Sequence, residues 1–337
     1  GNPVMPDQAG AVGSTSATSP DEAKSLAIRG EGAVGSTVDV TVVVVSYNSR
    51  NWLERCLSPV VHQSGDVLGL EVIVVDNAST DGSATFVRER FPGVTVIESN
   101  VNLGFGAGCN RAFAVAKGRT IILVNPDCEL QPGAIAALHR FLRDHPRIGA
   151  VGGRLAYGDG SFQHAAFRFP SLAQVFLDFF PMNWRLTESR LNGRYPRAID
   201  TTAFECDAVL GALMAIRRTA IAGTGGFDER YFMYVEEIDW CKRLRAFGWE
   251  VWHCPDAMGV HHSGQSTRTV AARMFVELHR SRLHYFRRYW PPATVAIARL
   301  ITWIGCAREI MRLRRRAPDD ASRERIRGCR EVMRLVA

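Results

Sequence analysis

The first half of the chain alternates strand-like and helix-like segments, and this alternation constrains the fold most strongly. Residues 38–46 are an almost unbroken β-branched run, and residues 70–76 form a second one. Runs of this kind are typical of strands buried on both faces, as in a parallel sheet. Further strand and helix patterns follow at 52–61, 84–91, 94–98, 109–116, 120–125 and 132–144. A strand and a helix that recur about every 25 residues predict an α/β fold with a doubly wound, mostly parallel sheet.

The pattern changes after residue 150. Shorter elements are predicted there, with strands at 150–157, 209–217 and 250–254, a helix at 233–247, and arginine-rich helices from about residue 270. We therefore expect one sheet domain over 38–267, whose two halves meet near residue 150, and a helical extension over 268–337. Residues 1–37 are rich in Gly, Ala, Ser and Thr, a composition that predicts disorder.

Composition and charge narrow the class of protein. Hydrophobic residues make up 46% of the 337 residues and charged residues 22%, which excludes a disordered, collagen-like or coiled-coil chain. The net charge is +7, but residues 268–337 carry 17 arginines against 6 acidic residues, so the remainder is mildly acidic. A basic extension of this kind indicates an anionic partner: a membrane surface, a nucleic acid or an acidic substrate.

The eight cysteines are scattered and form no Cys-x-x-Cys pair, so their spacing does not indicate a structural zinc site. Their distribution favours reduced, buried thiols in a cytoplasmic protein. The start of the sequence shows no basic segment followed by an apolar run, in agreement with that expectation.

Three of the predicted strands end in small polar residues. These are Ser46-Tyr-Asn48, Asp76-Asn77-Ala-Ser79 and Asn125-Pro-Asp127. In open α/β sheets, ligands bind outside the carboxyl ends of the strands. Hydrogen-bond acceptors at three ends, with carboxylates at two of them, suit a nucleobase, a ribose and a metal-bound diphosphate.

Several motifs, taken in order, resemble family 2 of the glycosyltransferases, which have the GT-A fold. The motifs are Val44-Val-Ser-Tyr-Asn48, Val74-Val-Asp-Asn-Ala-Ser-Thr-Asp-Gly-Ser83, Asn102-Leu-Gly-Phe-Gly-Ala-Gly-Cys-Asn110, Leu123-Val-Asn-Pro-Asp127, Gly225-Gly-Phe-Asp-Glu-Arg-Tyr-Phe-Met-Tyr-Val-Glu-Glu-Ile-Asp-Trp240 and His261-His-Ser-Gly-Gln-Ser266. The resemblance covers roughly 40–290 and is strongest to the bacterial rhamnosyltransferase-like branch.

The resemblance implies an inverting transferase that uses a nucleotide-diphospho-sugar and Mg²⁺ or Mn²⁺. Carried onto this sequence, it places Ser46 and Asn48 in the nucleotide pocket, Asp76 on the base, and Asp127 on the metal that bridges the donor diphosphate. Four asparagines complete the predicted donor site, with Asn125 as a ribose contact: Asn77, Asn102, Asn110 and Asn125.

The later motifs imply the catalytic and acceptor residues. Glu237 stands at the position of the general base, with Glu236 as its fallback, and Asp239 is expected to hold the loop or the acceptor. Trp240 offers a flat apolar face for sugar stacking. His261 aligns with a histidine that completes the metal site, and its neighbour His262 is the alternative ligand or an acceptor contact.

Other readings of the same residues stay open. Ser, Asn and Asp after a strand are also common in plain turns, and a Glu-Glu pair is often a solvated helix face. Trp240 is equally expected in the core, and either histidine is compatible with a purely structural role. Gly104-Phe-Gly-Ala-Gly108 follows the third strand instead of the first, which argues against a dinucleotide-binding dehydrogenase.

The segment 289–316 is apolar but contains Arg299 and Arg308, which argues against a bilayer span and favours an amphipathic helix at an anionic membrane surface. A helix that packs on the sheet domain or on another subunit is the alternative, and the oligomeric state stays open. We see no nucleic-acid-binding motif.

The function that the resemblance implies is metal-dependent, inverting transfer of L-rhamnose from dTDP-L-rhamnose to a polyprenyl-diphosphate-linked or cell-envelope glycan at the inner face of the cell membrane. The alternatives are a UDP-hexose donor and a non-catalytic sugar-nucleotide-binding or scaffold protein.

Overall fold

The computed structural model describes residues 38–67, 69–262, 271–315 and 319–337. The segment 1–37, for which we expected disorder, lies outside the described residues, as does the motif end after His262. The bounds of the predicted sheet domain and extension stay predictions.

The first half of the sheet is parallel and has the order β3-β2-β1-β4. Its elements are β1 (Val40–Ser46), α1 (Arg50–His62), β2 (Leu70–Asp76), α2 (Ser83–Arg90), β3 (Thr95–Glu98), α3 (Phe105–Phe113) and β4 (Thr120–Val124). Strand β1 is buried along its whole length, as its β-branched run predicts. Its register with β2 pairs Val40 with Leu70 and Ser46 with Asp76, so the two strands end side by side.

The second half extends this sheet with mixed strand directions. Its elements are β5 (Cys128–Leu130), α4 (Ala134–Asp144), β6 (Ile148–Ala156), β7 (Phe162–Gln163), β8 (Ala166–Phe167), α5 (Leu172–Phe179), α6 (Trp184–Thr187), β9 (Phe204–Glu205), β10 (Ala208–Val209), β11 (Leu213–Arg217), α7 (Arg218–Thr224), α8 (Glu236–Ala246) and β12 (Glu250–His261). Short 3₁₀ turns lie at Gln63–Asp66, Arg190–Asn192 and Arg197–Ile199.

Strand β11 enters antiparallel between β4 and β6, and β12 pairs parallel to β6. The carboxyl ends of β1, β2, β4, β6 and β12 therefore lie along one edge of the ten-stranded sheet. Helices α1 and α4 cover one face, whereas α3 and α8 cover the other. This mixed, mostly helix-covered sheet confirms the predicted fold class.

The C-terminal part forms a third apolar cluster outside the sheet. Helices α9 (Ala271–Tyr289), α10 (Pro292–Arg314) and α11 (Asp320–Val336) pack together with α5. Several polar contacts join α9 to the sheet domain; among them, the Tyr289 hydroxyl donates to Asp239 at 2.8 Å, and Arg288 pairs with Asp228 at 2.8 Å. All eight cysteines are buried and free, as their scatter predicts.

Four details differ from the sequence prediction. Helix α3 begins four positions earlier than expected, because the glycine-rich stretch after Gly104 is helical and not a loop. Strand β12 continues to His261 through a register irregularity between Cys254 and Met258, next to Pro255. The predicted strand at 209–217 is two strands, β10 and β11, and helix α5 was not predicted.

Gly104 joins the two halves of the molecule at a close backbone approach. Its φ is +85°, and a Cβ added there would lie 1.9 Å from the carbonyl oxygen of Phe232. The Phe105 amide donates to that same oxygen at 3.1 Å, and the Asn77 side chain donates to the Gly104 carbonyl at 2.9 Å. Only glycine combines this conformation with this contact.

We expect Gly104→Ala to lower the free energy of unfolding by about 3 kcal/mol or more, because it adds a clash to an unfavourable φ. Gly82 is the matched control: its φ is +80°, but nothing lies within 4 Å of an added Cβ. Gly82→Ala should cost only about 1–2 kcal/mol, the cost of the conformation alone. Urea unfolding measures the free energy of unfolding of both variants. Equal losses would show that the close approach to Phe232 adds nothing to the cost of the conformation.

Candidate active site

Three buried polar atoms lie together at the ends of β1 and β2. Ser46 is fully buried and Asp76 is 2% exposed. Ser46 Oγ, Asp76 Oδ1 and Asn77 Oδ1 are buried and form no hydrogen bond within the described residues. An unpaired buried polar atom costs about 1–3 kcal/mol, so three neighbouring ones indicate a place where a polar ligand supplies the missing bonds.

The loop after β2 is held against the end of β1 by side chains. Asn48 has a φ of +50°, and its Oδ1 accepts from the Thr80 amide at 2.8 Å. The Arg50 amide donates to Asp81 Oδ2 at 2.9 Å. Asn48 was predicted to line the nucleotide pocket; in the structure it lies two residues after the end of β1, where its Oδ1 holds the 77–81 loop.

A carboxylate and an imidazole face each other at the end of β4. Asp127 is 6% exposed and His261 is 5% exposed, and Asp127 Oδ1 lies 3.3 Å from His261 Nε2. The two meet because β5 pairs antiparallel with β12, which sets Cys128 opposite His261. The Asn125 amide nitrogen lies 3.2 Å from the same Nε2. Three residues that the sequence singled out therefore converge.

The other imidazole nitrogen of His261 is held by Gln163, a residue that the sequence analysis missed. The Gln163 amide lies 3.1–3.2 Å from His261 Nδ1. When Nδ1 donates to the Gln163 oxygen, Nε2 keeps its lone pair on the side of Asp127. Gln163 lies in the two-residue strand β7, and no sequence pattern marks so short a strand.

His262 lies beside this pair. Its amide donates to the Asp127 carbonyl at 2.9 Å, and its ring centroid lies 4.6 Å from the ring of Trp52. Trp52, on α1, was also not predicted as a site residue. The described residues contain no group of three or more His, Cys, Asp or Glu side chains that would hold a metal ion by themselves.

Two neighbouring glutamates begin α8. Glu236 is 3% exposed and Glu237 is half-buried, and the Oε2 atom of each is buried without a hydrogen-bond partner in the described structure. Burial raises the pKa of Glu237 to about 7. Burial, and then the charge of Glu237, raise the pKa of Glu236 well above its usual range. A carboxyl group that titrates near neutral pH is suited to accept a proton.

The backbone before these glutamates is strained. Tyr234 and Val235 have φ values of +68° and +73°, and within the described ranges Asn48 and Ala78 are the other non-glycine residues with positive φ. All four flank the candidate site. Each costs about 1–2 kcal/mol, and strain of this kind concentrates at functional sites.

Four other predicted site residues bind protein groups. Asp239 is fully buried and accepts from Arg243 at 2.9 Å and from Tyr289, so it holds the loop, one of the two roles expected for it. Trp240 is fully buried in the core against Phe227, which corrects the idea that it stacks on an acceptor sugar.

The remaining two are asparagines. Asn110 bonds the backbone of Phe227 through both ends of its amide, at 2.9 Å each, so it joins α3 to the 226–229 loop. Asn102 Oδ1 accepts from the Gly104 amide at 3.0 Å and shapes the turn described above.

Two solved structures share the fold. One is the mannosyltransferase PcManGT from Pyrobaculum calidifontis, solved with GDP-Man and Mn²⁺, with a TM-score of 0.54, 18% identity and coverage of 93% of this chain and 92% of that one. The other is GalNAc-T7 with UDP, GalNAc and Mn²⁺, with a TM-score of 0.51, 16% identity and coverage of 67% and 43%. These likenesses show that the chain has the GT-A fold.

The chain belongs to glycosyl transferase family 2, whose sequence profile matches residues 41–221. It is 32% identical over 256 residues to an N-acetylglucosaminyl-diphospho-decaprenol L-rhamnosyltransferase of Mycobacterium tuberculosis, covering 71% of this chain and 81% of the relative. It is 23% identical over 259 residues to the rhamnosyltransferase WbbL of Escherichia coli K12, covering 74% and 93%. The predicted family, its rhamnosyltransferase-like branch and the enzyme class are confirmed. The roles of individual site residues stay predictions.

The raised pKa of Glu237 predicts how stability depends on pH. The ordinary pKa of a glutamate is about 4.5, so between pH 4.5 and 7 the folded state binds more protons than the unfolded state. Stability is therefore lost as the pH rises through this window. We expect Glu237→Gln to be more stable than the unsubstituted protein at pH 8, by roughly 1–2 kcal/mol, and equally stable at pH 4.

Urea unfolding at the two pH values measures this difference. The matched control is Glu89→Gln, because Glu89 is exposed on α2 and should show no pH-dependent gain. A Glu237→Gln variant that is destabilised at pH 8 would contradict the burial of an unpaired carboxylate.

Proposed function

We propose that this glycosyltransferase moves L-rhamnose from dTDP-L-rhamnose to a polyprenyl-diphosphate-linked sugar, with inversion at the anomeric carbon. The observation that carries the proposal is the Asp127–His261 pair at the end of β4, next to the unpaired buried atoms of Ser46, Asp76 and Asn77. The choice of sugar and acceptor is supported by the Mycobacterium tuberculosis relative, most of whose length this chain matches.

In this proposal the nucleotide binds at the ends of β1 and β2. Asp76 Oδ1 would accept from the imide N–H of a pyrimidine base, while Asp76 Oδ2 already accepts from the Ser79 amide at 2.9 Å. Ser46 Oγ and Asn77 Oδ1 supply further hydrogen bonds. The ligand would thus remove the cost of the buried atoms that the protein leaves unpaired.

Asp127 and His261 fit a divalent cation. Their facing atoms are 3.3 Å apart, close to the roughly 3 Å between adjacent ligands of a cation with bonds of about 2.1 Å. One carboxylate and one imidazole leave most coordination positions to the donor's phosphate oxygens, which is how Mg²⁺ and Mn²⁺ commonly bind. When bound, the cation would stabilise the negative charge that develops on the leaving diphosphate.

Glu237 would act as the general base. Its carboxylate takes the proton of the acceptor hydroxyl, whose oxygen attacks the anomeric carbon as the bond from that carbon to the diphosphate breaks. A single in-line displacement inverts the configuration. Glu236 is the neighbouring base candidate; its side chain is only 3% exposed, and burial and the charge of Glu237 raise its pKa well above the usual range.

The acceptor that we propose is anchored in a bilayer, which places the enzyme peripherally at the cytoplasmic face of the cell membrane. Within the described residues, no helix is both long and apolar enough to cross a membrane. The basic C-terminal helices are the part that we propose contacts the lipid surface.

The direct test is a transfer assay with the purified chain, Mn²⁺ and an N-acetylglucosaminyl-diphospho-polyprenol acceptor. We expect turnover with dTDP-L-rhamnose and release of dTDP, at a rate that falls below about pH 7 as Glu237 becomes protonated. Glu237→Gln should lower kcat by about 10²–10⁴-fold, the usual contribution of a general base, while the KM for the donor changes little.

Glu89→Gln is the control and should keep full activity, since Glu89 is exposed away from the strand ends. Faster turnover with a UDP-hexose than with dTDP-L-rhamnose would show that the transferred sugar is the hexose and not rhamnose. No transfer from any nucleotide sugar, with nucleotide binding intact, would favour a non-catalytic sugar-nucleotide-binding protein.

A further inference from the structure

The solvent-facing side of α10 is apolar from Ile297 to Met311. Five large apolar side chains are exposed there, and we call them the α10 stripe: Ile297 at 48%, Leu300 at 59%, Trp303 at 42%, Ile304 at 44% and Met311 at 58%. Their spacing of three, four and seven residues places them along one side of the helix. Because several large apolar residues adjoin here, this is a patch and not scattered surface exposure.

The opposite side of α10 is already used for packing. Val295, Ala298, Thr302 and Cys306 are buried on that side, within the cluster formed with α9 and α11. Helix α10 therefore has an apolar inner side that the fold covers and an apolar outer side that the described residues leave exposed. Packing against the neighbouring helices accounts for the apolar residues on the inner side of α10 but not for those on its outer side.

Helix α5 widens the outer patch. It packs against α10 where an added Cβ on Gly305 would meet the Phe179 ring at 2.2 Å, and Arg308 donates to the Phe179 carbonyl at 3.1 Å. Phe176 on α5 is 38% exposed, and Met182, shortly after that helix, is 69% exposed. The element that packs against α10 therefore also carries exposed apolar side chains.

Positive charge borders this patch. Arg308 and Arg312 lie along α10, and Arg314 and Arg315 follow Met311 at its end, all four of them exposed. Long arginine side chains keep their apolar stems against a hydrocarbon surface while the guanidinium groups contact phosphates. Trp303 is a residue type that concentrates at the boundary between lipid and water.

We propose that the α10 stripe and its arginines are a docking surface for an anionic lipid bilayer, into whose headgroup region α10 inserts parallel to the plane. The charge favours a bilayer over a second copy of this chain, because the C-terminal part carries 17 arginines against 6 acidic residues and repels its own copy. An apolar face with a basic border is the pattern of interfacial helices.

The docking surface is connected to the candidate active site. Helix α9 precedes α10 directly, and Tyr289 at the end of α9 donates to Asp239, two residues after Glu237. Ser281 on α9 also donates to the Met233 carbonyl at 2.8 Å. The inference rests on the proposed function for its purpose, since a membrane-anchored acceptor would be met at that surface.

The test is co-sedimentation of the full chain with vesicles, without any donor or acceptor. One set is made of equal parts of phosphatidylglycerol and phosphatidylcholine, and the other of phosphatidylcholine alone. We expect binding to the first set that weakens with added salt, and much weaker binding to the second. Leu300→Gln with Ile304→Gln should lower the partition coefficient about tenfold or more, and so should Arg314→Gln with Arg315→Gln.

Matched controls are Val61→Gln with Val115→Gln, which replace valines that are 39% and 51% exposed away from α10. They should bind vesicles like the unsubstituted chain, and every variant should keep its melting temperature, because the changed side chains face solvent. The vesicle assay does not depend on transfer, so a failure here leaves the proposed transfer reaction standing and removes only the proposed contact of the C-terminal helices with lipid.

Three results would overturn the proposal. One is no binding of the unsubstituted chain to the anionic vesicles. Another is a Leu300→Gln with Ile304→Gln variant that binds these vesicles as strongly as the unsubstituted chain does. The third is a stable dimer in sedimentation equilibrium that Leu300→Gln with Ile304→Gln dissociates, which would assign the stripe to a second copy of the chain.

Discussion

The pairing of β1 between β2 and β4 is the constraint on which the candidate active site depends. The valine run of β1 is buried on both faces, so a shift in its register would be resisted on both sides at once. The observed register sets Ser46 beside Asp76 and brings β4 to an end one residue before Asn125. The packing of one apolar strand therefore sets the positions of Ser46, Asp76 and the end of β4, on which the donor site is built.

Around this edge the protein keeps features that cost stability. Unpaired buried acceptors lie at the strand ends, and two glutamates of raised pKa follow two residues of positive φ. Asp239, only two residues after Glu237, has in contrast an arginine and two tyrosines as partners. The fold supplies full pairing for the Asp239 carboxylate but not for those of the neighbouring glutamates. This contrast is consistent with glutamates that take part in a reaction.

The sequence predicted the elements whose signal is local. Strand β2 was predicted with its observed bounds, and the bounds of β1, α1, α2 and β4 were within a few residues, because buried runs and amphipathic periods are properties of short segments. The convergence of Asp127 and His261 was expected only through family resemblance, since the residues lie more than a hundred positions apart. Their meeting depends on the β5–β12 pairing, which no local pattern encodes.

What the sequence could not show depends on tertiary contacts. Gln163 and Trp52 are ordinary residues by composition, and only the fold brings them to His261 and His262. Trp240 was misjudged for the same reason, because it follows the glutamates in the motif while its own ring is buried against Phe227. In the sequence, α10 is only a segment of mixed apolar and basic residues. Its apolar outer side can be recognised only when the structure shows which side is buried.

The most direct measurement is the change in melting temperature caused by a panel of nucleotides, with and without Mn²⁺, in the unsubstituted protein and in Asp127→Asn. A ligand that binds only the folded state raises this temperature by mass action. We expect dTDP to stabilise the protein more than GDP, CDP or ADP, to do so more strongly with Mn²⁺, and to lose the Mn²⁺-dependent part in Asp127→Asn but not in the exposed control Asp66→Asn. No response to any diphosphonucleoside, or a response that neither Mn²⁺ nor Asp127 changes, would contradict a metal-assisted donor site at this sheet edge.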